Sequence, residues 1–264
     1  MAPSADAEIW IEALRGSHDH LSSVLSEISS DAISGPSYCR DWTIAQVLSH
    51  LGSGAEIMSM GVGSVLNGEE PPGREMFQAV WDTWNAKSPS EQAADYEGAD
   101  NAFLEQLASI SPQQRDTFKA SLFGMELDLT TIVGMRLSEH TLHTWDIEVI
   151  KYPSAELQHV PVELLIDLFA MRAARAGKSV GEPVRVLIDT TLPPRSFLLS
   201  VDESASVEEG PDPKSIDSDT GILDIPAEAL LRLASGRLDD AHTPSDVKAT
   251  GVGLDTLRQV FPGF

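Results

Sequence analysis

The first 150 residues keep almost to a single hydrophobic period, and that restricts what they can become. Trp10, Leu14, Leu21, Val24, Leu25 and Ile28 recur every three or four positions. This is the spacing of one helix face, so the pattern predicts an amphipathic helix from about residue 5 to about residue 30. The turn cluster Ser34-Gly35-Pro36-Ser37 breaks it. Thr43 then serves as N-cap of a second helix with the stripe Ile44, Val47, Leu48, Leu51 and Met58. That helix fades at Asn67-Gly68, before Pro71-Pro72-Gly73. A third helical region starts near Arg74 and is interrupted at Pro89. Helix resumes over Glu91–Leu107, with Pro112 as a late breaker, and the last helix runs from about Asp128 to Ile150 until Pro153 closes it. Long helices on short polar links predict an up-and-down or crossover helical bundle.

Beyond Pro153 the texture changes. Val162–Ala176 is helical, whereas Pro183–Thr191 and Arg195–Val201 are short, partly β-branched runs bounded by Gly or Pro, and read as strands. Gly221–Ile225 is a third strand candidate. Pro226–Ser235 is a helix ended by Gly236, Asp246–Thr250 a short strand, and Leu254–Val260 a final helix. The expected fold class is therefore α followed by α/β: a helical domain over residues 1–153 and a small mixed domain over 154–264. A length of 264 residues suits two modest domains.

Composition narrows the function. Forty-one acidic residues face 18 basic ones, a net charge of −23. Such a surface repels phosphates and anionic head groups, so neither nucleic acid nor a membrane surface is an expected partner. Cys39 is the single cysteine, which excludes an internal disulfide and multi-cysteine metal sites. No apolar run reaches the ~20 residues of a membrane span. The leader MAPSADAEIW has acids and no basic region, unlike a signal peptide, so the expectation is a cytoplasmic protein. Neither a phosphate-binding GxxxxGK loop nor a G-x-S-x-G elbow is present.

Chemistry concentrates in Arg136-Leu-Ser-Glu139-His140-Thr-Leu-His143-Thr-Trp-Asp146. Residues three or four apart share a helix face, which places Arg136, Glu139, His143 and Asp146 together. Four ionisable groups on one face are costly to bury unless they pair or bind something. A carboxylate and an imidazole one turn apart can chelate a divalent metal, and this ligand chemistry suits zinc. His50, at the edge of the second helix's stripe with Gly54 one turn later, is the candidate third ligand. The resulting His₂Glu set leaves a fourth position open, as catalytic rather than structural zinc sites do. The competing reading is a surface Glu–His hydrogen bond. The order is not HExxH, so a zincin protease is not supported. His140 forms a rival pair with His143 but points about 100° away from Glu139. His18 borders the bundle interior in a structural role, and Cys39 reads as a packed thiol.

These residues also carry a family resemblance. Cys39-Arg-Asp-Trp42-Thr-Ile-Ala-Gln-Val-Leu-Ser-His50-Leu resembles the C-x-x-W-T-x-x-x-V-x-x-H-L signature of the mycothiol-dependent maleylpyruvate isomerase family. The Arg136–Asp146 stretch is similar to that family's R-x-x-E-x-x-x-H-x-W-D, and Gly236-Arg237 resembles an element of its second domain. The resemblance implies a DinB-like four-helix bundle followed by a sterol-carrier-like α/β domain. It implies zinc on His50, Glu139 and His143, and active-site roles for Asp146 and Arg237. It further implies a low-molecular-weight thiol cosubstrate such as mycothiol acting on a small-molecule electrophile. In an isomerase the thiolate adds to a conjugated double bond, permits rotation and leaves; in an S-transferase it stays on the product. Arg74 and Arg136 are candidates for gripping a dicarboxylate. The alternatives are a non-catalytic metal- or ligand-binding module and a zinc–water hydrolase.

Overall fold

The helical period of the first half is realised as capped helices whose apolar faces meet. The computed structural model describes residues 6–212 and 216–263; residues 1–5 of the acidic leader lie outside them. Helix α1 (Ala7–Ser26) is capped by the Asp6 side chain, which accepts from the Glu8 N–H, and it buries Trp10, Ile11, Leu14, Leu21 and Val24. In α2 (Ile44–Asn67) the cap is reciprocal. The Thr43 hydroxyl accepts from the Gln46 N–H, and the Gln46 side chain accepts from the Thr43 N–H. Gly68, at φ 67°, ends that helix in the left-handed conformation. Helices α3 (Arg74–Ala86) and α4 (Pro89–Ser109) follow. Pro89 thus begins α4 at a position where its missing N–H costs nothing.

Past the short α5 (Pro112–Arg115), strands β1 (Lys119–Leu122) and β2 (Met125–Asp128) form a hairpin that the hydrophobic pattern did not announce. They are four residues each and turn at Phe123-Gly124, where both φ values are positive, 54° and 77°. Asp128 then caps α6 (Leu129–Lys151) by accepting from the Thr131 N–H at 2.8 Å. Helix α1 packs on α6 and α2 on α4; contacts of α2 with α6 and α1 with α4 close the bundle. Leu21, Val47, Leu48, Leu51, Trp84, Tyr96 and Ile147 share one buried cluster. Gly52 lets the α3 residue Trp84 reach α2, because a Cβ at that position would lie 2.2 Å from the indole. No described helix is long and apolar enough to cross a membrane.

The chain divides into two compact units after Ala155. In the second, the stretch expected to be one helix is α7 (His159–Leu165), a 3₁₀ turn, and α8 (Phe169–Ala176). The remaining elements are β3 (Val184–Thr191), β4 (Ser196–Val201), β5 (Ala205–Glu209), β6 (Gly221–Pro226), α9 (Ala227–Leu233), β7 (Lys248–Thr250) and α10 (Leu254–Val260). The sheet order is β5-β4-β3-β6-β7. Strand β3 pairs antiparallel with β4 and parallel with β6, Val186 lying opposite Gly221. The strand missed in the sequence, β5, is an edge strand whose Ser206, Glu208 and Glu209 weaken its apolar signature. Within α9 a buried Arg232 grips Glu228 through two 2.7 Å hydrogen bonds.

Candidate metal centre

Packing of α2 on α6 sets three candidate ligands opposite one another. His50 Nε2 lies 3.0 Å from Glu139 Oε2, and His143 Nε2 lies 3.5 Å from the same oxygen. The donor atoms of His50, Glu139 and His143 all fall within 4.8 Å of one another. The side chains are graded in exposure: 39% for His50, 48% for Glu139 and 10% for His143. One side of the group therefore faces solvent and the other is packed. Burial opposes the Glu139 charge, but the adjacent His143 and His50 imidazoles prevail and hold its carboxyl well below the usual range.

Beneath His143 the site is built in depth. His143 Nδ1 is 2.8 Å from Oδ2 of the fully buried Asp146, one turn on. An ionised carboxylate can only accept, so this contact makes Nδ1 the donor and leaves the Nε2 lone pair on the Glu139 side. The Cys39 thiol also donates to Asp146 Oδ2, at 2.9 Å. The loop carrying Cys39 is tied down by the Tyr38 N–H, which donates to the Asp146 carbonyl at 2.8 Å, and by edge-on packing of Tyr38 against Trp145. Cys39 is thus not merely a packed thiol. Its contact with Asp146 spans 107 residues of chain, and no local spacing signals it. Trp42 from the same loop lies beside both imidazoles.

The shared helix face of Arg136, Glu139, His143 and Asp146 divides in two. Arg136 turns away from the ligands and donates to Asp100 Oδ1 at 2.5 Å, deep in the bundle. The guanidinium fills the space beside Gly54, where a Cβ would lie 3.2 Å from Arg136 Nη1. Asp100 Oδ2 takes His18 Nδ1 at 2.6 Å and lies 3.3 Å from His140 Nε2. Tyr96 Oη and Ser17 Oγ occupy the two His140 nitrogens, at 2.7 and 2.9 Å. His18, Asp100 and His140 therefore form a second three-donor group, fully buried. A divalent cation would add charge beside the Arg136 guanidinium in a dry core, so this group is a charge-balanced structural network. Arg136 is committed to it and is not placed to grip a substrate. Arg237 belongs to the second unit, where its Nη1 donates to the Ser235 carbonyl at 3.0 Å.

The chemistry of the first group fits zinc. Tetrahedral ligands at ~2.0–2.1 Å from a metal are separated by roughly 3.3 Å, and the two imidazole–carboxylate separations of 3.0 and 3.5 Å bracket that distance. Two neutral imidazoles and one carboxylate are a borderline-soft donor set with room for a fourth ligand.

Comparison with known proteins follows the same lines. The profile of the family described as "Mycothiol maleylpyruvate isomerase N-terminal domain" matches residues 14–148. Two proteins of Mycobacterium tuberculosis, described as uncharacterized and from strains CDC 1551 / Oshkosh and ATCC 25618 / H37Rv, are each 24% identical over 177 residues. The match covers 67% of this chain and 85% of theirs. Among solved structures, the mycothiol-dependent maleylpyruvate isomerase is similar with a TM-score of 0.65 at 15% identity. A histidine-to-alanine mutant of that enzyme gives 0.66 at 14%. Each match covers 92% of both chains, and the likeness shows the common fold, α followed by α/β.

Proposed function

The chain belongs to the mycothiol maleylpyruvate isomerase family, and from that premise we propose that it is a zinc-dependent enzyme using a low-molecular-weight thiol, mycothiol first among them, against a small electrophile. The reaction class is a maleylpyruvate-type cis–trans isomerisation or an S-transfer. The observation that carries this reading is the meeting of His50, Glu139 and His143 from two helices, packed on one side and open on the other.

In this reading His50 and His143 hold the metal through Nε2 and Glu139 through its carboxylate. Zinc bound there supplies a lowered thiol pKa, whereas a free thiol titrates near ~8.5 and is only a few per cent ionised at neutral pH. The chain's own residues do the rest. Glu139 stays ionised at neutral pH, so the ligand set carries one negative charge against the two positive charges of the ion. Asp146 holds His143 in the tautomer that presents Nε2. The open flank of His50 and Glu139 admits the thiol, while the buried side toward Asp146 and Cys39 keeps bulk water from the imidazole's far nitrogen. A role for Arg237 in holding an anionic substrate group rests on the family resemblance alone.

The test is turnover of maleylpyruvate by zinc-loaded protein, with and without mycothiol, while free thiol is followed. Thiol-dependent turnover is expected. Constant thiol assigns an isomerase, and stoichiometric loss assigns a transferase. Turnover independent of thiol would refute the reading in favour of zinc–water hydrolysis.

A further inference from the structure

Trp42 has a placement that metal ligation leaves unexplained. Its ring centroid is 5.4 Å from that of His50 and 6.2 Å from that of His143, to which it is nearly parallel at 19°. Yet 38% of the residue is exposed. The exposure does not come from loose anchoring. The Trp42 N–H donates to the Cys39 carbonyl at 3.0 Å, and its own carbonyl accepts from the Ser37 N–H at 3.0 Å and the Ser37 hydroxyl at 2.9 Å. The next residue, Thr43, pairs with Pro36 and caps α2. The preceding residue, Asp41, sits at φ 68°, in the left-handed region that aspartate adopts more readily than most non-glycine residues, and so makes the tight turn that leads into Trp42. The loop's hydrogen bonds thus hold a broad apolar face beside the imidazoles and open to solvent.

We infer that Trp42 is a binding residue for the thiol cosubstrate, its exposed indole face being the platform on which the C–H-rich face of an uncharged, sugar-bearing thiol packs while the sulfur end reaches His50, Glu139 and His143. The inference rests on the thiol-dependent reading above. A rigid aromatic plane offers contact area at low conformational cost.

The experiment uses the full chain loaded with Co²⁺, whose thiolate absorption band reports thiol binding directly. Mycothiol and 2-mercaptoethanol, a thiol without the sugar, are titrated into the wild type, Trp42→Ala and Trp42→Phe, with metal content measured for each. The indole area left open is ~60–95 Å² of a side chain that buries ~150–250 Å² in full. Covering it is worth roughly a ten- to fifty-fold change in affinity. Trp42→Ala should therefore weaken mycothiol by about that factor and leave 2-mercaptoethanol within about twofold, with Trp42→Phe retaining most of the mycothiol affinity. Equal losses for both thiols, loss of bound metal in both variants, or unchanged mycothiol affinity in Trp42→Ala would each overturn the inference. Should the metal-loaded wild type bind neither thiol, the thiol-dependent reading itself fails, a result distinct from those three.

Discussion

Asp146→Asn isolates the step that turns a helix face into a metal site. The substitution keeps the size of a fully buried side chain and removes its charge. Asp146 now accepts from His143 Nδ1 at 2.8 Å and from the Cys39 thiol at 2.9 Å on the same oxygen. An asparagine presents either its carbonyl or its NH₂ to that nitrogen. In the second orientation it donates to Nδ1, and the proton of His143 moves to Nε2, the atom facing Glu139. The ligand set then loses one donor for part of the population, and the remaining population loses the basicity a carboxylate confers. Loss of such a partner weakens a metal by about 10- to 100-fold, or about 1.4–2.7 kcal/mol. The assay is competition for zinc against a chromophoric chelator at fixed pH. Far-ultraviolet circular dichroism and a thermal melt of the metal-free variant establish that the bundle is kept. A folded variant whose zinc affinity stays within about twofold of wild type would refute the argument that Asp146 sets the tautomer.

Two further expectations rest on the geometry of the bundle, and a third, on Arg237, rests on the family resemblance. Asp100→Asn leaves the buried Arg136 guanidinium without its counter-charge and should cost about 3–5 kcal/mol of bundle stability by urea unfolding near neutral pH. Burial opposes the Asp100 charge, but Arg136, with hydrogen bonds from His140 and His18, holds its carboxyl far below the ordinary range. The stability this contributes is complete above about pH 4 and is lost as pH falls below it, so the acid limb of wild-type stability should flatten in Asp100→Asn. Gly52→Ala drives a methyl into the Trp84 ring and should destabilise the bundle by about 1–3 kcal/mol, read as a lowered urea midpoint; no change would show that α3 is not held as described. Arg237→Ala should raise KM for the electrophile with metal content unchanged, and an unaltered KM would remove Arg237 from the substrate site.

What was legible in the sequence follows from range. Helix α2 announces itself by its cap at Thr43 and by an apolar stripe from Ile44 to Met58, and α6 by a long helical run that Pro153 closes. The pairing of Glu139 with His143 is one turn of helix and is visible for the same reason, and His50 was reachable because it lies at the edge of a stripe. The β1–β2 hairpin failed that test: four-residue strands give only two alternations, and its turn residue Phe123 is not a usual left-handed residue. The Cys39–Asp146 contact and the Arg136–Asp100–His18–His140 network join residues 36 to 107 positions apart. They depend on which helix packs on which, information that a single helical wheel does not hold. Hence Arg136, on the ligands' face by spacing alone, turned out to serve the core.

The most direct measurement is metal content by mass spectrometry of the purified chain and of His143→Ala, both refolded or dialysed against zinc and freed of loosely bound ion. One zinc per wild-type chain and a near-complete loss in the folded variant are predicted; stoichiometric zinc retained by His143→Ala would contradict the account at its centre.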